Sequence, residues 1–285
     1  MLTFIIDAGT PGMIYNHQMN VALDGRVVLV TGASRGIGAE IARRLASEGA
    51  YLALCSRNLD GLNQFASQNG FNEDNSILIA QDLSELAGID TCAQLILERF
   101  GRIDALVNNV GGATGHGAFL NVSDSDWIKT FETNVLSLVR FAKIFKPYLS
   151  NSEYGRIVTI SSTTAQEPGQ FDPHYSSSKA AVNNLSKHLA NIFASDGITV
   201  NVISPGPIHT EGLIEFLSVL DSNGNAGEVK ESEKFTGAMK SRIPLGNLGS
   251  PSDIAGLVSF LLSKDAGWIT GSNFRVDGGK NRGIF

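Results

Sequence analysis

Residues 27–38 read VVLVTGASRGIG, an unbroken apolar run that ends in a glycine-rich turn. Val27 to Val30 have the composition of a strand covered on both faces, because no polar residue alternates with them. Beyond the turn, Ile37, Ile41, Leu45 and Ala46 fall near helical spacing within 37–48, while Glu40, Arg43, Arg44 and Glu48 take the other face. A strand, a glycine turn and a helix start in direct succession form an anion site. The first N–H groups of the helix lack partners within it, and its dipole adds positive charge there. Glycine is needed where the backbone approaches a phosphate closely and where the helix packs on the strand. The spacing is Gly-x₃-Gly-x-Gly rather than Gly-x-Gly-x-x-Gly, but the context is that of a first βαβ unit. Gly32, Ser34, Arg35, Gly36, Ile37 and Gly38 are therefore expected to hold a dinucleotide pyrophosphate.

Outward from this turn, short runs rich in Val, Ile and Leu recur at 51–55, 77–80, 104–107, 157–160, 199–203 and 273–276, with longer amphipathic stretches between them. Strand–helix alternation of this kind predicts an α/β, single-domain Rossmann fold: a doubly wound, mostly parallel seven-stranded sheet with helices on both faces. Residues 1–24 show no period and contain Gly9, Pro11 and Gly12, so they read as an N-terminal extension to a domain over 25–285. Residues 211–240 break the rhythm, with Gly212, Gly224, Gly227 and a charged run from Glu228 to Lys234. A long insertion at a strand end is expected to act as a substrate lid.

Composition narrows the class. Of 285 residues, 42% are hydrophobic and 18% charged, which supplies a large core and excludes disorder as the main state. The net charge of −6 argues against nucleic acid or an anionic membrane as partner. No apolar run reaches membrane-spanning length, and the run Leu2 to Ile6 is too short for a secretory signal, so a cytoplasmic location is expected. Cys55 and Cys92 are too few for a disulfide framework and read as reduced thiols. No His, Cys, Asp or Glu cluster has metal-ligand spacing, so no metal is expected.

The second apolar run ends Leu54-Cys55-Ser56-Arg57, with no acid to bind a ribose 2′-hydroxyl. Arg57 and Arg35 instead offer guanidinium groups to a 2′-phosphate, which favours NADP(H) over NAD(H). Tyr175 and Lys179 are four apart and would share a helix face. A cation beside a phenol is expected to lower its pKa and make it a usable proton donor or acceptor. Ser162 lies 13 residues before Tyr175, just past the run at 157–160, where open α/β sheets place their ligands.

Taken together, these motifs resemble the short-chain dehydrogenase/reductase family over about residues 24–280. The resemblance rests on Thr31-Gly-x₃-Gly-x-Gly38, Asp82, Asn108-Asn109-Val110-Gly111, Asn134, Ser162, Tyr175-x₃-Lys179, Pro205-Gly206 with Thr210, and Val276-Asp277-Gly278-Gly279. Residues 55–58 are similar to tropinone-reductase-type members, and the overall layout to 3-oxoacyl-[acyl-carrier-protein] reductases. The resemblance implies that Tyr175 passes a proton to the carbonyl oxygen while Ser162 stabilises the developing alkoxide. Lys179 would hold the nicotinamide ribose and Asn134 a proton-relay water. Asp82 would bind adenine and Asn109 would pack by the adenine-side ribose; Ser56, Arg57, Leu83 and Gly111 would also belong to the cofactor site. Pro205, Gly206, Ile208 and Thr210 would hold the carboxamide. Val110 and Ala165 depart from the usual Ala and Gly without touching the tetrad.

The expected activity is an NADPH-dependent carbonyl reductase or the reverse alcohol dehydrogenase, acting on a small-molecule ketone or secondary alcohol. The alternatives are an NAD-dependent catabolic dehydrogenase and a catalytically silent nucleotide-binding module. The resemblance also implies a homo-oligomer, a tetramer or dimer, pairing long helices at about 123–148 and 174–195. Phe141, Ile144, Phe145, Leu185, Leu189 and Ile192 are candidates for those faces or for the core. Weaker signals are His116 in the glycine-rich loop 111–117, His174 beside Tyr175, His209 beside Thr210, and Phe216 and Leu217 in the lid. Gln166, Glu167, Gln170 and Asp172 border the substrate segment and point to a polar substrate.

Overall fold

In the computed structural model, which describes residues 23–223 and 236–284, the run that opens the domain forms β1 (Val27–Thr31), buried along its whole length. The other runs become β2 (Tyr51–Ser56), β3 (Ser76–Ala80), β4 (Ala105–Asn108), β5 (Arg156–Ile160), β6 (Thr199–Pro205) and β7 (Asn273–Val276). They form one sheet in the order β3-β2-β1-β4-β5-β6-β7, and every neighbouring pair is parallel. The expected sheet is thus present, wholly rather than mostly parallel.

The apolar runs of the inner strands are continuous because each feeds two cores. Val28 and Val30 face one with α1 (Gly36–Ser47), α2 (Leu59–Asn69) and Pro251–Leu262, while Val27 and Leu29 face the other. That second core is closed by α3 (Leu86–Phe100), α5 (Ser137–Ser150) and α6 (Pro173–Phe193). Phe141 and Phe145 stack there, with centroids 5.5 Å apart, and both are fully buried. They therefore belong to the core, whereas Ile192 is half-exposed. Cys55 of β2 and Cys92 of α3 are also fully buried in this layer. A thiol–thiol hydrogen bond, then burial, pushes the Cys92 thiol up.

The helix expected at 123–148 is not continuous. α4 (Asp124–Phe131) and α5 are joined by a π-helical turn, Glu132–Leu136, which carries Asn134. The capping box at Ser123 and Asp126 fixes where α4 starts. Residues 1–22 of the expected extension lie outside the described residues, but Leu23 is fully buried and donates its N–H to the Glu48 carbonyl at 2.8 Å. Of the expected lid, residues 224–235 also lie outside; its first part is α7 (Glu211–Asn223). The last long helix, Pro251–Leu262, is α8.

Candidate active site

The turn from β1 into α1 closes too tightly for any side chain. A Cβ on Gly38 would stand 2.1 Å from the Gly32 carbonyl oxygen, and Gly32 itself has φ +65°. Arg35, the N-cap of α1, is extended and gives no side-chain cap, so the first amides of α1 face outward from the turn. Asn109 at the end of β4 braces this turn, donating from its amide to the Thr31 carbonyl at 2.9 Å and the Gly32 carbonyl at 3.3 Å. β1 and β4 are neighbours although β2 and β3 intervene in sequence, so the turn sits where the strand order reverses.

The residues expected at the adenine end are placed as follows. Asp82 accepts from the Ser84 N–H at 2.9 Å and its hydroxyl at 2.8 Å. Burial raises its pKa, but these bonds and the Arg57 charge carry it below the ordinary value. Leu83 is buried beneath it. Ser56 is engaged at the start of α2, with its hydroxyl on the Asn58 carbonyl at 3.1 Å. Arg57 is exposed and makes no ion pair among the described residues. Arg35 is paired with Glu215 of α7, its second guanidinium nitrogen 3.0 Å from Oε2. Glu215 was not foreseen. It lies 180 residues from Arg35, and neither motif nor periodicity connects them.

The four residues expected to do chemistry converge beyond β4 and β5. Asn134 is buried and donates to the Ser178 hydroxyl at 2.8 Å and the Gly112 carbonyl at 3.1 Å, and its Oδ1 accepts the Gly112 N–H at 3.0 Å. This ties α6 and the loop after β4 to the π turn. Gly111 explains itself here: a Cβ would stand 2.7 Å from the Lys179 ammonium and 3.1 Å from Asn134 Oδ1. Ser162 follows β5 and accepts from the Thr164 hydroxyl at 2.9 Å, and its hydroxyl lies close enough to the Tyr175 phenol to influence it. Lys179 donates to the Ile160 carbonyl at 2.8 Å, with its ammonium 5.7 Å from the Tyr175 ring centroid.

One expectation is reversed. Burial pushes the Tyr175 phenol above its ordinary pKa of 10.0, the Ser162 bond works against that, and the Asp172 charge adds to it. Lys179 is itself lowered to about 8 by burial. Burial thus acts against the charged form of both groups.

The loop after β6 comes back over the turn. Gly206 packs so closely on Asp277 that a Cβ would meet its Cα at 2.8 Å, which accounts for the glycine. Pro205 ends β6, Ile208 is buried, and the Thr210 hydroxyl accepts from the Leu213 N–H at 3.2 Å at the start of α7. A Cβ on Gly36 would lie 3.5 Å from Thr210 Cγ2, so this loop and the first turn meet. His174 is fully buried, with Nε2 on the Thr114 carbonyl at 3.0 Å and Trp127 against its ring, a structural position. His209 is exposed and its N–H bonds the Gly249 carbonyl at 2.8 Å. Leu217 is buried, while the Phe216 ring lies 5.4 Å from that of His116. Gln166, Glu167 and Gln170 are exposed.

Comparison with known proteins gives a consistent result. A family model described as Enoyl-(Acyl carrier protein) reductase matches residues 32–281. The chain is 34% identical over 257 residues to a 3-oxoacyl-[acyl-carrier-protein] reductase of Haemophilus influenzae, covering 90% of this chain and 98% of that one. It is 35% identical over 263 residues to a 2,3-dihydro-2,3-dihydroxybenzoate dehydrogenase of Bacillus subtilis, covering 92% and 98%. The solved L-sorbose reductase of Gluconobacter frateurii, complexed with NADPH and L-sorbose, superposes with a TM-score of 0.85 at 30% identity, covering 93% of this chain and all of that one.

Proposed function

Since this chain belongs to the short-chain dehydrogenase/reductase family, an oxidoreductase family acting on CH–OH and C=O groups, we propose that it is an NADPH-dependent carbonyl reductase working by proton donation from Tyr175. The observation that carries the reading is the convergence of Ser162 and Tyr175 with the Lys179 ammonium, 5.7 Å from the phenol ring.

The residues present fit NADP(H). The glycine turn leaves no room for a Cβ at Gly38, the first amides of α1 are uncapped by side chains, and β2 is followed by Arg57 rather than by a carboxylate. Gly32, Ser34, Arg35, Gly36, Ile37 and Gly38 would hold the pyrophosphate, with Arg35 and Arg57 at the 2′-phosphate. Asp82 and Leu83 would take the adenine, and Ile208 and Thr210 the carboxamide. When bound, the cofactor supplies or accepts a hydride at the substrate carbon.

The chain's own residues manage the oxygen and its proton. A phenol held above its ordinary pKa stays protonated at neutral pH, the form needed to donate to a carbonyl oxygen. Ser162 has a hydroxyl proton to give that oxygen as it becomes an alkoxide, which favours the charge where it develops. Lys179, brought to about 8 by burial, has a proton that is held less firmly than an exposed lysine's and can help restore the one Tyr175 gives up. Asn134 holds the 111–112 loop and α6 in place. The reverse reaction uses the same groups with Tyr175 as base, so direction follows the cofactor ratio. A biosynthetic role, on a 3-oxoacyl thioester or a specialised-metabolite ketone, is the reading that an NADPH preference supports. We place the enzyme in the cytoplasm as a homo-oligomer, supported by the family and by the fully exposed Trp268 beside β7.

The test is NADPH oxidation by purified protein over 3-oxoacyl thioesters, cyclic ketones and polyhydroxylated ketones. Turnover on at least one class is expected, and Tyr175→Phe should lower kcat by at least about 10²-fold with NADPH affinity held within a few-fold. Unchanged turnover in that variant would sink the proton-donor role. An NADH preference would favour the catabolic alternative.

A further inference from the structure

Outside the tetrad, one pair of side chains is built with unusual care. Asp172 is the only non-glycine residue at positive φ among the described residues, at φ 53° and ψ 55°. It caps the start of α6, three residues before Tyr175. Its carboxylate is nine-tenths buried and spends both oxygens on the loop after β4: Oδ1 accepts the Gly117 N–H at 3.0 Å, and Oδ2 meets His116 Nδ1 at 2.8 Å. The main chain adds a second tie, from the Asp172 N–H to the Gly117 carbonyl at 2.9 Å, and Ala118 pairs with Phe171 across an antiparallel bridge. The His116 side chain is still 29% exposed, and its ring lies 5.4 Å from Phe216 on α7.

The geometry has a chemical consequence. With Nδ1 turned to the Asp172 carboxylate, Nε2 is the ring nitrogen left over, an acceptor in the Nδ1–H tautomer. Nε2 has no protein partner among the described residues. The loop that carries His116 runs from Gly111, which touches the Lys179 and Asn134 side chains, through Thr114, whose carbonyl takes His174. The imidazole is thus held between Asp172, three residues before Tyr175, and Phe216 of α7.

We propose that His116, oriented by Asp172, is a specificity-determining residue that accepts a hydrogen bond from a substrate hydroxyl neighbouring the reacting carbonyl, so that the enzyme's substrates are hydroxyketones rather than simple ketones. The assignment rests on the carbonyl-reductase reading and narrows it. Phe216 supplies an apolar wall to the ring, and Asp172 supplies the tautomer.

The experiment compares kcat/KM for 2-hydroxycyclohexanone and cyclohexanone, and for any other oxygenated ketone the wild type reduces against its deoxy analogue. The wild type should favour the hydroxylated member of each pair. In His116→Ala that ratio should fall about tenfold, through KM rather than kcat, as for loss of one hydrogen bond. His116→Gln, which keeps a polar group near the Nε2 position, should recover part of the ratio. Asp172→Asn should lower it by loosening the ring. Thermal unfolding and NADPH affinity of the variants separate this from damage to the fold. If the hydroxyl-to-deoxy ratio is the same in wild type and His116→Ala, or if the wild type favours the deoxy ketones, the assignment is overturned while the reductase reading stands. A folded, NADPH-binding wild type that reduces no carbonyl at all sinks both.

Discussion

Lys179 shows how strongly one buried cation can act. Its ammonium has left water for a site where the Ile160 carbonyl is its hydrogen-bond acceptor, and burial brings its pKa to about 8 from 10.5. The unfolded chain therefore binds more protons than the native one between about pH 8 and 10.5, so on this account stability rises with pH across that window. Below pH 8 the native lysine is charged, and the full burial penalty is present. Tyr175 acts in the opposite sense above pH 10, where a raised phenol pKa makes stability fall as pH rises. Urea unfolding from pH 7.5 to 9.5 should show the unfolding free energy of wild type rising relative to that of Lys179→Met; parallel curves would show that Lys179 is not so penalised. The i, i+4 spacing announced that Tyr175 and Lys179 share a face, and it was right about their placement. It carried no information on how dry that face is, because dryness comes from β5, the loop after β4 and the π turn, all distant in sequence. The same limit hid the clamp on Asp172, whose left-handed backbone has no marker in the sequence.

At the scale of the element, α7 is the most consequential helix. Within two consecutive residues it sends Glu215 to Arg35 at the cofactor turn and Phe216 to His116 at the substrate side. An acid on Arg35 competes with any phosphate that the guanidinium would bind. Both partners are exposed, so the pair contributes at most about 1 kcal/mol. Glu215→Gln should accordingly tighten NADPH by up to about fivefold at low salt, tighten NADH less, and lose its effect as salt is raised. Arg57→Ala should weaken NADPH far more than NADH. Titrations with both nucleotides check the pair, and equal changes for the two would remove the 2′-phosphate assignment. The sequence marked 211–240 as a break in rhythm but not as a helix, because Gly212 and the mixed composition that follows obscure the period. The π turn at Glu132–Leu136 escaped for a related reason. One extra residue in a helical turn shifts the side chains that follow it but leaves composition and mean periodicity almost unchanged.

For the whole molecule, the sheet was the most legible feature. Strands covered on both faces are apolar at most positions, and seven runs rich in Val, Ile and Leu were readable with their ends within a residue or two, although the edge strand β7, NFRV, is covered on one face only. Their order was not written in the runs themselves; it follows from right-handed crossovers and from the winding that starts in both directions from β1. That winding opens the crevice between β1 and β4 where the glycine turn and the tetrad meet. It also walls off the opposite layer, where Cys55 and Cys92 face each other between β2 and α3. Two thiols sealed in this way make the protein its own clock. A disulfide reagent such as 5,5′-dithiobis(2-nitrobenzoate) should find neither in native buffer within minutes and both at once in denaturant. Its slow native rate then counts how often this edge of the sheet opens. Rapid labelling of either thiol would show that edge to be open. A rate that slows when nucleotide is added would report binding on an enzyme whose substrate has yet to be chosen from the panel.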